Sequence, residues 1–285
     1  MGSAQDEVTV VTVCYNSEAV LPDMLASIPD GVRMIVVDNA SRDRVAVHAI
    51  AAQHGARVIE MDRNAGFGVA CNAGAVAADT EFLLFLNPDA MLRPGALDAL
   101  REAAQRHPEA SAFNPRITHE DGSVHFKRRS NLLPRREWLP RRWPAAEGEV
   151  PVLVGSAIFI RRAHFMAVGG FDPHIFLYYE DDDLSLRLRH EIGPLMFVPG
   201  AEVMHMGGAS SVRSVAVARI KGHHLGRSRV YTSVKHGVPW GRSRAVFEAA
   251  LGAISPLVLI SPRKRAKEWS RLRSTIRGCL DPQAD

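Results

Sequence analysis

Glu180, Asp181, Asp182 and Asp183 stand in a row directly behind Phe176, Leu177, Tyr178 and Tyr179. Four adjacent anions repel one another, and a solvated acidic run is normally diluted with Lys or Ser. Carboxylates at a helix N-terminus are favoured by the helix dipole by roughly 0.3–1 kcal/mol each, which accounts for one or two of them. Asp183 has the helical spacing to pair with Arg187, and it can also cap. Glu180 and Asp181 are left over at the mouth of that helix, beside aromatic rings. A carboxylate crowded by like charge and partly desolvated holds a proton more tightly. That suits a general base that takes a proton from a hydroxyl.

A second carboxylate lies in Asn87-Pro88-Asp89, after an apolar run. Pro88 fixes the turn, so Asp89 projects from a sheet edge. There it could cap the following helix or hold a hard divalent cation, since Mg²⁺ takes one or two carboxylates and leaves its other positions to phosphate and water. His205, in VMHMGGAS, is one of 12 histidines, and its claim rests on its place in the pattern. Asn16, Asp38-Asn39 and the Arg63-Asn64 turn end other apolar runs in the same way. Each turn alone is bland; carboxylates and amides at the ends of several strands are the signal.

These groups need a scaffold, and the first hundred residues supply strand and helix signals in alternation. VTVVTVCYN, VRMIVVD, ARVIEM and EFLLFLN read as strands. Between them lie a helix with apolar positions Val20, Leu21, Met24, Leu25 and Ile28 and a candidate cap at Ser17, a helix closed by Gly55, a small-residue helix in GFGVACNAGAVAA, and a helix begun by Pro94. Alternation with continuously apolar strands predicts an α/β fold with a mostly parallel sheet covered on both faces. Ligands of such sheets bind beyond the carboxyl ends of the strands, where the polar turns fall. Past residue 110, ASAFNPRI and VHFKRR read as a strand pair around the Asp121-Gly122 turn. Residues 127 to 149 read as a mobile surface loop in which Lys127, Arg128, Arg129, Arg135, Arg136, Arg141 and Arg142 alternate with Trp138 and Trp143. GPLMFVPGAEVMHMGG reads as two short strands, and three basic helices finish the chain.

The 285 residues are 46% hydrophobic and 23% charged, with a net charge of +4. That is ordinary globular composition. Cys14, Cys71 and Cys279 lie far apart, which argues against a disulfide framework or a zinc site and for a reducing compartment. The opening MGSAQDEVTVV lacks a basic segment followed by an apolar one, so no signal peptide is expected. Asp6 stands where a myristoylation motif needs Ser or Thr. From His205 onward there are 15 Lys/Arg against 4 Asp/Glu, so an acidic body carries a basic tail. Such a tail suits an anionic surface. In AVFEAALGAISPLVLISPRKRAK, Glu248 and Pro256 break an apolar run too short to span a bilayer. It fits a segment lying in the interface with Arg263, Lys264, Arg265 and Lys267 at the headgroups. A buried helix hairpin is the alternative.

Six stretches in this order resemble glycosyltransferase family 2, the inverting nucleotide-sugar transferases with the GT-A fold, from about Val8 to about Ser211. VVDNAS resembles its VVDNxS element, NAGFGVACNAG its NxGFxxAxNxG segment, and LNPDA the NPD form of its metal motif. GGFDPHIFLYYEDDDLSLRLR resembles GGFDExFFxYxEDxDLxxR, and VMHMGGAS resembles xxHxxGxS; the opening strand and helix match as well. The resemblance implies a transferase domain over residues 1–211 and a helical, basic extension over 212–285. It implies Asp181 as the base with Glu180 in support. Asp89 and His205 become ligands of Mg²⁺ or Mn²⁺. Asp38, with Thr12 and Asn16, would hold base and ribose, and Asn64, Gly66, Phe67 and Asn72 would line the sugar diphosphate; Asn39 and Asn87 would also bind the donor. Gly155, Ser156, Tyr179 and Asp182 would meet the acceptor. Asn87 departs from the family's first metal-motif carboxylate, which leaves more of the work to Asp89 and His205.

The NPD and YEDxDL spellings are most similar to those of bacterial rhamnosyltransferases and their galactofuranosyl relatives. This implies an L-rhamnose from a dTDP donor passing to a lipid-linked or polysaccharide acceptor in cell-envelope glycan synthesis. UDP-galactofuranose and a UDP-N-acetylhexosamine are the alternative donors. The expected place is the cytoplasm, peripheral on the inner face of the membrane through the C-terminal basic segment, unless those helices form a homodimer interface. No nucleic-acid partner is expected. A nucleotide-dependent oxidoreductase is disfavoured because Gly66-Phe67-Gly68 runs on to Cys71 and lacks the third glycine of G-x-G-x-x-G. A non-catalytic membrane-binding module leaves Asp89 and Glu180-Asp181 without a purpose.

Overall fold

The computed structural model describes residues 7–141, 144–207 and 214–281. Arg142, Trp143, the Gly208–Ser211 end of the last motif and the expected 211/212 boundary lie outside the described residues.

Val8–Cys14 (β1) is a β-branched run buried along its whole length. Leu21–Ala26 (α1), Arg33–Asp38 (β2), Arg44–Gln53 (α2), Arg57–Glu60 (β3), Phe67–Ala77 (α3) and Phe82–Leu86 (β4) follow in the expected alternation. β1 pairs in parallel with β2 and β4, and β2 with β3. The register sets Cys14 beside Asp38 and Asp38 beside Glu60, so three strands end level. The small residues of α3 let it lie close to the sheet, with Gly74 against Val11 and Val37. Ser17 does not cap α1; its hydroxyl donates to the Tyr15 carbonyl, and Val20 occupies the cap position without a side-chain bond.

The second half is mixed rather than parallel. It contains Ala90–Leu92 (β5), Ala96–Arg106 (α4), Ala112–Thr118 (β6), Val124–His125 (β7), Gly148–Val150 (β8), Ala157–Arg161 (β9), Arg162–Ala167 (α5), Glu180–Glu191 (α6) and Leu195–His205 (β10). The sheet runs β3-β2-β1-β4-β9-β6-β10-β5, with β7 on β6 and β8 on β10. β9 is antiparallel to β4 and β6, and β5 to β10. β10 is one strand, not two, because the Pro199-Gly200 interruption is absorbed as a register shift between Val198 and Glu202. Such a bulge bends a strand without ending it.

Leu21, Met24, Val47 and Leu97 fill one face of the sheet. Ala70, Phe165, Leu184 and Leu188 fill the other. The chain closes with Val215–Lys235 (α7), Gly241–Ala253 (α8), Pro256–Ile260 (α9) and Pro262–Leu280 (α10). Among the described residues no helix is long and apolar enough to cross a membrane.

Candidate active site

The site begins at the level strand ends. Asp38, the last residue of β2, is wholly buried; Oδ1 accepts the Ser41 N–H at 2.9 Å, and Oδ2 lies 3.8 Å from the Arg44 guanidinium. Thr12 is buried one strand away, with no hydrogen-bond partner for its hydroxyl among the described residues. Asn16 takes a left-handed φ of 52° and accepts the Arg42 N–H. Asn39 and Asn64 are turned toward each other at 3.0 Å, and between them they accept the Ala65 and Gly66 N–H groups. Gly66 has φ 93°, and a Cβ there would stand 2.5 Å from the Phe176 carbonyl oxygen. Only glycine fits. This close approach brings the segment before α6 to the Asn64–Gly66 turn.

Two expected donor contacts are taken up internally. The Asn72 amide donates to the Phe171 carbonyl and accepts the Phe171 N–H, both at 2.8 Å, so it clamps the Gly169-Gly170-Phe171 turn. The Phe67 ring packs edge-on against Phe171, and its N–H donates to the Phe176 carbonyl. Asn87 meets Ser156 through the backbone, N–H to carbonyl at 2.9 Å. The Ser156 hydroxyl is buried with no partner among the described residues.

Asp89 caps no helix; Gly95 precedes α4 instead. β5 pairs with β10 so that Ala90 faces His205, and the Met206 N–H donates to the Asp89 carbonyl. This places the Asp89 Oδ1 3.3 Å from the His205 Nε2. Adjacent ligands on a small cation, each about 2.1 Å from it at right angles, lie about 3 Å apart. Among the described residues no group of three His, Cys, Asp or Glu could hold a metal. One carboxylate oxygen and one imidazole nitrogen at this spacing could hold a cation only with phosphate and water filling its other positions. Lys221, from α7, lies close enough for the Asp89 charge to oppose the downward pKa shift that burial and Lys267 impose on it.

The acidic run divides as α6 begins. Tyr178 and Tyr179, with φ 67° and 69°, turn the chain sharply into the helix. Asp183 is wholly buried and takes Arg187 on Oδ2 and both Lys235 and His236 on Oδ1. Burial alone would raise its pKa, but His236, Arg187 and Lys235 outweigh it and hold it low. The expected pairing with Arg187 is present, and the end of α7 adds Lys235 and the adjoining His236, which the local spacing cannot reveal.

Lys127, read from the sequence only as one basic residue of the loop, meets the acidic run directly. Its Nζ lies 2.9 Å from the Asp181 Oδ2 and 2.5 Å from the Asp182 Oδ2. Burial pulls the lysine pKa down, and the two carboxylates more than reverse this. The Asp181 Oδ2 also accepts the Gly155 N–H at 3.1 Å, so Gly155, expected at the acceptor, supports the carboxylate. Asp182 titrates high because burial and then Asp181 outweigh Lys127. Glu180 Oε2 is buried with no hydrogen-bond partner among the described residues. Burial, then the Asp181 charge, push its pKa up to about 8. Glu180 is thus largely a neutral acid at pH 7, and Asp181 is the carboxylate fixed by ionic and backbone contacts.

Where described, the loop of residues 127 to 149 is tied by its own hydrogen bonds and by the Lys127 contacts to α6. Arg128 and Leu139 exchange two hydrogen bonds, Ser130 and Leu132 are buried, and Arg129 lies over the Trp138 ring. This loop and α6 enclose a cleft of about 390 Å³ lined by Lys127, Arg129, Asn131, Tyr178, Tyr179, Glu180, Asp181 and Asp182. His125 links this side to the corner formed by Asp89 and His205. Burial, then the charges of His119, His205 and Lys127, lower its pKa, and Asp181 opposes them. The cleft thus offers a carboxylate for a hydroxyl proton, cations for an anion and aromatic faces for a sugar ring.

The model of the family described as "Glycosyl transferase family 2" matches residues 9–169. An N-acetylglucosaminyl-diphospho-decaprenol L-rhamnosyltransferase of Mycobacterium tuberculosis is 30% identical over 92% of this chain and 96% of its own. Among solved structures, GalNAc-T7 with UDP, GalNAc and Mn²⁺ superposes with a TM-score of 0.62 at 17% identity, over 98% of this chain and 57% of that one. A mannosyltransferase from Pyrobaculum calidifontis in complex with GDP-Man and Mn²⁺ gives 0.58 at 15% identity, over 98% and 88%. At such identities these two likenesses speak for the fold alone.

Proposed function

The chain belongs to glycosyl transferase family 2, with the GT-A fold, and from that premise we propose that it transfers L-rhamnose, with inversion, from dTDP-rhamnose to a lipid-linked sugar diphosphate. The observation that carries the reading is the meeting of Asp89 with His205, far apart in sequence, in a chain whose cleft is lined by Glu180 and Asp181. A polysaccharide acceptor, or UDP-galactofuranose or a UDP-N-acetylhexosamine as donor, is the neighbouring reading within the family.

Asp38, Thr12, Asn16 and Asn39 line the strand ends where base and ribose would lie, and Asn64 and Gly66 the diphosphate turn. Asp89 and His205 would hold Mg²⁺ or Mn²⁺, which when bound supplies Lewis-acid stabilisation of the leaving diphosphate. Asp181 takes the acceptor proton as the hydroxyl oxygen attacks the anomeric carbon from the face opposite the nucleotide. Glu180, carrying its own proton, limits the charge beside Asp181. Arg129 and Asn131 would meet the acceptor's diphosphate and sugar, with Tyr179 as a stacking face. We place the protein at the cytoplasmic face of the membrane, peripheral, through α8 to α10.

The test is transfer of radiolabelled sugar from a panel of dTDP and UDP donors to a short-chain polyprenyl-diphosphate N-acetylglucosamine, with and without Mn²⁺. We expect turnover with dTDP-rhamnose that EDTA abolishes and that Asp89→Ala lowers at least ~100-fold. Asp181→Asn should keep donor affinity by calorimetry and lose about 10²–10⁴-fold in kcat, the usual worth of a general base. Turnover confined to a UDP donor would move the assignment to the neighbouring reading, and retained turnover in Asp181→Asn would place the base elsewhere.

A further inference from the structure

We propose that Lys127 is a positioning residue for the transfer: it holds the Asp181 carboxylate through Oδ2, offsets the charge of Asp182 beside it, and leaves Oδ1 to receive the acceptor's proton. This rests on the function proposed above, in which Asp181 is the base.

Lys127 is well placed for such a role. It follows β7 by two residues, and the residues on either side of it are fixed. The Phe126 ring packs edge-on against Phe197 at 5.3 Å, and Arg128 is tied to Leu139 in both directions. The Asp181 Oδ2 already accepts from Lys127 and from the Gly155 backbone. At Oδ1 the one hydrogen bond among the described residues is the Asp182 N–H at 2.9 Å. Oδ2 is therefore saturated, and Oδ1 retains an open lone pair. A buried ion pair is a weak device for stability, because desolvation offsets most of its attraction. Its value here lies in orientation and charge.

The charged and titratable surroundings are few. Glu180 and Asp182 share α6 with Asp181. His125 faces it from β7, Arg129 stands at the cleft wall, and Cys71 of α3 and Tyr178 lie beside Glu180. Among the described residues Lys127 is the cation in direct contact with Asp181. Without it, Asp181 would face Glu180 and Asp182 with His125 held toward its neutral form.

The test is the pH dependence of kcat/KM in the wild type, Lys127→Met, Lys127→Arg and Asp182→Asn. An adjacent cation ordinarily moves a carboxylate by about 1–3 pH units. The acid limb should therefore shift upward by about that much in Lys127→Met and remain near the wild-type position in Lys127→Arg. In Asp182→Asn, where one competing anion is gone, it should shift downward. Titration of ¹³C-labelled aspartate carboxyls, assigned by the resonance lost in Asp181→Asn, should show the same shifts and needs no turnover. A wild type inert toward every donor thus counts against the proposed function, while unshifted titrations count against Lys127. A Lys127→Met enzyme slowed equally at all pH values, with limb and titration unmoved, makes Lys127 mere packing and overturns the proposal. If that variant does not fold, an unmoved Asp182→Asn titration overturns it as well.

Discussion

Among single residues, Glu180 makes the sharpest demand on the chemistry, because its carboxyl is pushed from 4.5 to about 8 by burial and by Asp181. A carboxyl whose proton is held more tightly in the folded state than in the unfolded chain weakens the fold as pH rises. Between about pH 4.5 and 8 the unfolded chain has lost that proton and the folded one keeps it, so stability falls across this window and levels off above it. Glu180→Gln copies the neutral acid and escapes the effect. Its melting temperature should match the wild type at pH 4 and exceed it by a margin that widens up to pH 8. Each tenfold gain in proton affinity corresponds to about 1.4 kcal/mol, so the full margin is on the order of a few kcal/mol. Calorimetric melts at pH 4, 6 and 8 read this directly; a constant margin means that Glu180 ionises as it would in the unfolded chain. The same residue shows what one short stretch can and cannot disclose. Four consecutive carboxylates announce a site, but their partners Lys127, Lys235 and His236 lie some fifty residues away and carry no local mark.

The elements that make this site rigid are α7 and the strap of residues 172 to 179 that it holds. Tyr231 and Lys235 of α7 bind Asp172, His224 stacks on Phe176 at 4.2 Å, and the Ser228 hydroxyl donates to the Leu177 carbonyl. The two left-handed tyrosines that follow cost of order 1–3 kcal/mol each, which such contacts offset. α7 is itself set by α10, against which Gly222 and Gly226 allow backbone approach; a Cβ at Gly222 would overlap the Lys267 carbonyl. Gly222→Ala should therefore cost about 1–3 kcal/mol by overpacking and lower the melting temperature by several degrees. An unchanged melt would mean that α10 yields freely. Helix and strand positions in the first half were legible because their periodicity is local: apolar runs end at Asn16, Asp38 and Asn87, each just beyond or at the carboxyl end of its strand. What escaped depends on distant pairing. Pro199-Gly200 reads as a break until β6 is seen to run alongside both parts of β10. The Arg-rich loop shows no partner in the sequence, and its link to α6 through Lys127 depends on folding.

At the scale of the whole molecule, α8 is built inside out for a helix facing water. Gly241, Ala245, Ala249 and Ala253 face inward, while Phe247, Leu251 and Ile254 face outward at 64%, 50% and 77% exposure. α9 adds Leu259 and Ile260, 80% and 78% exposed, and Arg263, Lys264 and Arg265 border them. A large apolar patch rimmed by cations fits a bilayer interface rich in anionic lipid. Each basic residue near such a surface contributes about 1 kcal/mol, screened by salt. Deleting the segment would be a poor test, since α10 supports α7 and through it the strap. Replacing Ile254, Leu259 and Ile260 with Ser leaves the inward face of α8 and α10 intact. That triple variant should keep its melting temperature and its turnover of a short, water-soluble acceptor. It should lose cosedimentation with vesicles containing phosphatidylglycerol and slow at least ~10-fold on a long-chain acceptor held in them. Binding of the wild type should fall as NaCl is raised. Vesicle binding that survives the substitutions removes the membrane from the account, and a wild type that sediments as a dimer while the variant is a monomer assigns the patch to a second copy of the chain.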